Sequence, residues 1–324
     1  MLKYILKRLL MLIPVMLGVI LLVYAFSAVS VADPVDQIVG ASASEEVKEA
    51  VREELGLNDP IIIQYVRYVV NLITKGSLGT SYITNQPVMS ELASRFPVTI
   101  KLALFSIALS ILISIPLGVL AAVKQYSGTD SAILGISVFI TSIPDFWLAL
   151  MLIALFAVRL NLLPAYGVTK WTGWILPIIV ASLNSLGKLI RTTRSSMLET
   201  IRQDYIRTAR AKGQSEHNIT YRHALRNSLI PVISTIGNTI GVQLGGIVIV
   251  ENVFGLAGVG TYIVNSIAYR DYPCVIGSVV ILALTFTILN LFLDICYAFV
   301  DPRIGANFFS SQRKKRLSKA TSEV

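Results

Sequence analysis

Six apolar stretches mark out the chain, at 9–31, 98–123, 133–158, 174–190, 229–250 and 275–300. Wound as helices, they are long enough for a hydrocarbon core of about 30 Å. The pattern between the first and second is different, because 32–97 mixes charged runs with apolar runs too short to cross. Ser42 and Glu45 have capping-box spacing, and Gly56 closes the helix they would open. Asp59-Pro60 opens a second segment, IIIQYVRYVVNLIT, of 14 residues with Arg67 in its middle. That length and that charge predict a helix lying on the outer membrane surface rather than crossing it. The first stretch exceeds a typical signal core and has no Ala-x-Ala at its end, so it reads as a retained helix.

The longest polar interruption of the C-terminal half runs through 194–231, RSSMLETIRQDYIRTARAKGQSEHNITYRHALRNSLIP. Met197, Ile201, Tyr205 and Ala209 recur every four residues, which predicts one face of one helix. Gly213 ends that helix, since glycine takes the left-handed cap at little steric cost. Ser215 caps a second, shorter helix running toward Arg226. Glu216, His217, Asn218, Arg222 and His223 make that helix polar nearly all round. A short helix without an apolar stripe is marginal alone, so it predicts a surface completed by a partner.

Composition agrees with the pattern. Apolar residues are 54% and charged residues 15%, where soluble domains carry roughly 25% charged. The expected fold is an all-α integral membrane protein with six transmembrane helices. Its parts are an N-terminal segment with the first helix (1–31), an extracytoplasmic subdomain (32–97), a five-helix core (98–300) and a basic tail (301–324). The net charge of +9 is distributed unevenly. With the N-terminus inside, nineteen of the 28 Lys and Arg fall on inside segments, nine of them at 188–226. The positive-inside rule then places both termini and the 194–228 loop in the cytoplasm. The tail RKKRLSK suits anionic inner-leaflet lipid better than nucleic acid.

Three groups of polar residues lie inside the apolar stretches. Pro144-Asp145 falls near the middle of the third, where a carboxylate costs about 2.5–3.5 kcal/mol on insertion scales. Asp145 is either a pathway residue or a structural bond to a neighbouring helix, and Pro144 kinks the span. In the fifth, Gly237, Gly241 and Gly245 form a bare face for close helix approach. Thr235, Thr239 and Gln243, with Asn238 beside them, form a polar stripe that either lines a solute path or only bonds between helices. In the sixth, Thr287, Asn290 and Asp294 share a face, with Asp294 expected to pair with a loop arginine.

Catalytic chemistry is not indicated. GKL at 187–189 lacks the upstream glycine and the Ser/Thr of a phosphate loop, and Gly255, Gly258 and Gly260 lack the strand–helix setting of a dinucleotide site. His217 and His223 are six apart, off one helical face and without a carboxylate trio, and Cys274 and Cys296 form no metal or disulfide motif. No metal site and no cofactor on this chain are expected.

RTARAKG at 207–213, followed by YRHALRNSLIP at 221–231, resembles the EAA-type loop of bacterial ABC importer permeases. The nearest likeness is to the B-type permease of dipeptide, oligopeptide, nickel and glutathione importers. Arg207, Thr208 and Ala209 stand at the first three pattern positions, and Gly213 matches; Arg226 replaces the usual proline, with Pro231 following, as in the peptide-type subgroup. LGLNDPIIIQYVRYVVNLITKGSLGTSY, SIPDFWLAL and ENVFGLAGVGTYIVNSIAYRDYP are similar to the same family. The resemblance implies a non-catalytic subunit in a bacterial or archaeal cytoplasmic membrane. It pairs with a second homologous permease, two ATPase subunits that carry ATP and Mg, and an extracytoplasmic solute-binding protein. It further implies that Ala209, Lys212, Gly213, Gln214, Ser215, Glu216, His217, Asn218 and Tyr221 couple to an ATPase, the 214–221 helix sitting in its cleft. Asp145, Asn238, Thr239 and Gln243 are the expected path residues. Peptide is the first choice of substrate, with glutathione or a nickel or metal chelate as alternatives. An ion-coupled secondary carrier using Asp145 is the rival of another class; it predicts an inverted repeat of spans, which the sequence does not display.

Overall fold

The computed structural model describes residues 2–29, 33–40 and 42–300. Among them the chain is helical without strands, an isolated bridge between Thr80 and Pro87 aside. The all-α class follows from the apolar runs, whose backbone N–H and C=O groups have no water to bond inside a bilayer. Three helices are long and apolar enough to cross on their own: Val88–Val123, Trp171–Ile201 and Tyr272–Phe292. Two bent pairs raise the number to five. The first helix, α1 (Leu2–Val29), has a shorter apolar part, Ile13–Phe26, so the expected six are not all reached among the described residues.

The 32–97 region folds as three helices before the bundle. They are α2 (Val35–Val39), α3 (Glu45–Leu55) and α4 (Ile61–Lys75). Gly56 ends α3 in the left-handed conformation (φ 64°), as expected. The start differs, since Ser44 and not Ser42 is the N-cap, and its side chain makes no capping bond. Ion pairs hold this corner instead, with Arg52 Nη2 2.6 Å from Asp33 and Lys48 2.9 Å from Asp36. Through Tyr65 and Tyr68, α4 leans on Tyr24 of α1. Its other side leaves Ile62, Val66, Val70 and Ile73 exposed in one row, the stripe an interfacial helix needs.

The bundle centres on α5 (Val88–Val123), α8 (Ile175–Ile201) and α11 (Leu225–Val253), packed through Leu102, Leu176, Val180, Ile247 and Val250. Small residues let the helices meet closely. At Gly187 of α8 a Cβ would lie 2.5 Å from Thr141 and 2.7 Å from the Ser137 carbonyl, the close approach expected of membrane helices. The expected glycine face of α11 is used only in part: Gly241 is covered by Phe286 of α13 (Tyr272–Val300), whereas Gly245 has nothing within 4 Å.

The third apolar stretch is not one kinked helix but two. α6 (Gly128–Thr141) and α7 (Asp145–Leu152), which continues as wide turns to Arg159, meet at 96°. Asp145 therefore begins a helix, at the break between the two halves. α8 in turn runs on to Ile201, past the expected membrane edge at 190. In its C-terminal half, Arg194 holds Asp130 of α6 by two bonds of 2.6 Å.

The chain closes at the opposite end through α12 (Val259–Ala268). Glu251 is fully buried there, accepting from the Thr99 hydroxyl at 2.6 Å and the Gly260 and Thr261 N–H groups at 2.7 and 3.2 Å. The glycine run explains itself in this setting, since a Cβ at Gly258 would occupy the space of the Glu251 carboxylate. Asp271 ties the 76–87 loop to α13, accepting from the Ser81 hydroxyl at 2.5 Å and the Tyr82 N–H at 3.1 Å. In α13, Thr287 and Asn290 bond to carbonyls of their own helix, and the Asp294 side chain, with its expected pairing, lies outside what the structure describes.

Candidate coupling loop and transmembrane crevice

Two places gather the polar residues singled out by the sequence. The first is the knob between α8 and α11. The expected single helix through Met197, Ile201, Tyr205 and Ala209 is two helices: α8 stops at Ile201 and α9 spans Asp204–Ala211. Gln203 is extended (ψ 150°), and this resets the helical phase. Ile206 consequently takes the buried face and Tyr205 is left half exposed, its hydroxyl accepting from Asn227 at 2.9 Å.

The cap residues behave as their chemistry dictates. Gly213 has φ 76°, and the N–H groups of Gly213 and Gln214 return to the carbonyls of Arg210 and Ala209 at 3.0 and 3.2 Å. The Ser215 hydroxyl accepts from the Asn218 N–H at 3.3 Å and opens α10 (Glu216–Asn218). The second helix does not end near Arg226. Through the wide turns of Ile219–Ala224 it runs without a break into α11. Nor is it polar all round, because Ile219 and Ala224 are buried with Val119, Ala122, Met197 and Ile206.

The knob thus has an apolar root and a solvated tip. Lys212, Gly213, Gln214, Ser215, Glu216, His217, Asn218 and Tyr221 are all exposed, and Ala209 is half buried against the root. Arg210 grips Glu216 by bonds of 2.6 and 3.1 Å, bracing the two short helices across the Gly213 turn. The His217 and Tyr221 rings stack at 4.8 Å on the outer side.

The second place is a crevice of about 80 Å³ where α7, α8 and α11 meet. Asp145, Asn184, Ser185, Lys188, Thr239 and Gln243 supply its polar lining. Three of the four expected path residues are therefore together, while Asn238 is exposed and does not line the crevice. Their bonding separates them. Gln243 is nearly buried and tied down, donating to the Ser106 hydroxyl and the Ala181 carbonyl and accepting from Ser185 at 3.4 Å. Thr239 donates to the Thr235 carbonyl of its own helix at 2.7 Å. Among the described residues Asp145 accepts only from Asn184, at 3.2 Å, and Lys188 lies exposed one turn further along α8.

Asn184, Ser185 and Lys188 escaped the sequence reading. The signal available was a polar pair four residues apart inside an apolar stretch, with Lys188 read only as an inside charge. Charged groups facing hydrocarbon would cost about 2.5–3.5 kcal/mol each. A face carrying Asp145 and Lys188 is therefore one for water or a second protein surface, not for lipid.

Residues 114–306 match the family described as binding-protein-dependent transport system inner membrane component. Residues 1–103 match its companion, binding-protein-dependent transport system membrane component, N-terminal. The dipeptide transport system permease protein DppB of Alkalihalophilus pseudofirmus is 38% identical over 94% of this chain and 99% of its own length. The glutathione transport system permease protein GsiC of Salmonella paratyphi A is likewise 38% identical, over 94% and 99%. A solved inward-facing structure of the MetNI methionine ABC transporter aligns with TM-score 0.57 at 18% identity, over 66% of this chain and 97% of that one. That last likeness is one of fold.

Proposed function

This chain belongs to the family of binding-protein-dependent transport system inner membrane components, and we propose on that premise that it is the peptide-type permease subunit of an ATP-driven ABC importer. A second, homologous permease supplies the other wall of the path. Two ATPase subunits, which carry the ATP and Mg, dock beneath the pair, and the chain itself hydrolyses nothing. An extracytoplasmic solute-binding protein delivers the solute at the side of the 32–97 region and α12. The subunit is multi-pass in a bacterial or archaeal cytoplasmic membrane, with both termini and the knob inside. The substrate is a short peptide, a class that also holds glutathione, the cargo named for one relative.

The observation that carries this reading is the build of the knob. A tip that only makes a loop has no need of a buried root, yet Met197, Ile206 and Ile219 are each at most 1% exposed. The root fastens the tip to α5 and α8, and the tip runs unbroken into α11. Closure of an ATPase dimer on the 214–221 tip would therefore swing α8 and α11, the walls of the crevice. Asp145, Thr239 and Gln243 fit a path there, and Asn238 fits a contact surface beside it.

Gly213→Val tests the coupling. A β-branched residue held at φ 76° is strained by about 1–3 kcal/mol, so the turn between the two tip helices shifts. Membrane-bound ATPase, scored by co-purification, and peptide uptake should both drop severalfold. Unchanged values for both would remove the knob from the coupling step.

A further inference from the structure

We infer that the crevice is a reader of short zwitterionic peptides, in which Asp145 receives the terminal ammonium and Lys188 the terminal carboxylate. The inference rests on the permease reading and names the solute chemistry of its path. Two opposite charges share one small crevice, yet neither belongs to an ion pair among the described residues. Elsewhere in this protein, neighbouring opposite charges close on each other, as Asp130 with Arg194 and Arg210 with Glu216 do. Here Asn184 intervenes, donating to Asp145 and leaving Lys188 open.

The spacing suits the ends of a dipeptide. Asn184, the hydrogen-bond partner of Asp145, and Lys188 root four residues apart on α8, about 6 Å along the axis at ~1.5 Å per residue. An extended dipeptide spans about 7 Å at ~3.3–3.6 Å per residue. Of the remaining lining, Ala181, Val242, Ile247 and Val250 are apolar, and the Ser185, Thr239 and Gln243 donors are already spent on bonds within the protein. Recognition of main-chain charges with indifferent walls suits a carrier of many sequences. The broken span is part of the device, because the 96° break at Pro144 is what turns Asp145 toward α8 and α11. Irregular backbone at membrane depth is tolerated where it lines such a cavity. At about 80 Å³ the crevice admits end groups, not a whole peptide. In this conformation it is a half-site, and the facing permease completes it.

The test uses the complete transporter in proteoliposomes with its own binding protein and labelled dialanine. The readout is peptide delivered per ATP hydrolysed. Every variant meets the same binding protein, so selection by that protein cancels. Lys188→Gln and Asp145→Asn should each lower the ratio about tenfold, and Lys188→Glu should lower it further. Lys188→Arg keeps the charge and should stay within about threefold of the parent. An unchanged ratio in Lys188→Gln overturns the inference. So does a loss in Lys188→Arg as deep as in Lys188→Gln, since shape rather than charge would then matter. Absence of ATP-dependent dialanine uptake by the parent transporter is a different result, for it removes the peptide permease reading itself.

Discussion

Removing the Glu251 carboxylate strands three donors at once: the Thr99 hydroxyl and the N–H groups of Gly260 and Thr261. All are buried or half buried, and an orphaned buried donor costs about 1–3 kcal/mol. Glu251→Ala should therefore destabilise the full chain by about 3 kcal/mol, read as a lower thermal midpoint in nanodiscs. Glu251→Gln keeps an oxygen for one donor and should lose less. Equal midpoints for Glu251→Ala and the parent would show that this end of the bundle is held by packing alone. Residues of this kind were partly legible beforehand. Gly213 and Ser215 were, because a left-handed cap and a hydroxyl cap depend on a few neighbouring dihedrals. Lys188 and Asn184 were not, because what makes them a site is Asp145, about forty positions away in sequence and beside them in space.

At the scale of elements, the two small helices α2 and α3 are fastened by charge pairs. The hydrogen bond from Lys48 holds the Asp36 carboxyl below the usual aspartate range, with the Lys48 and Arg52 charges adding to it. A depressed carboxylate stabilises the folded form above its ordinary pKa, and that contribution disappears as pH falls through the lowered value. The protection factors of the amides in α2 and the start of α3, which are exchange rates divided into the intrinsic rate at each pH, should accordingly fall between neutral pH and about pH 3. Asp36→Asn should show low protection at both. A parent whose α2 protection factors are the same at both pH values would rule the pair out as a fastening. The broken third span belongs to this scale as well. Pro144 announced a bend, but a proline does not set its size; the 96° comes from where α7 finds room against α8 and α11. The four-residue spacing from Met197 to Ala209 misled in the opposite way. Periodicity assumes an unbroken helix, and one extended residue, Gln203, shifts every later side chain to a new face.

For the whole molecule, the proposed coupling needs force applied at the solvated tip to reach a crevice in the bundle. Ile219 sits at the joint, 1% exposed among Val119, Met197 and Ile206. Ile219→Ala leaves a cavity worth about 2–4 kcal/mol at the root without touching the solvated tip. ATPase subunits should still co-purify, while peptide delivered per ATP falls severalfold. Loss of co-purification would instead make Ile219 part of the docking surface. The family, the helical class and the solvated tip were all written in the chain, in runs of apolar residues, caps and the RTARAKG stretch. These depend on transfer free energies and on dihedral preferences, which neighbours in sequence set by themselves. Which in-span polar groups meet was decided only by tertiary packing. Asp145, Asn184, Lys188 and Gln243 come from three helices, and their meeting turns on how closely a glycine lets α8 approach α6 and how sharply α7 turns. Those are properties of surfaces fitted together, and no local stretch of the chain carries them.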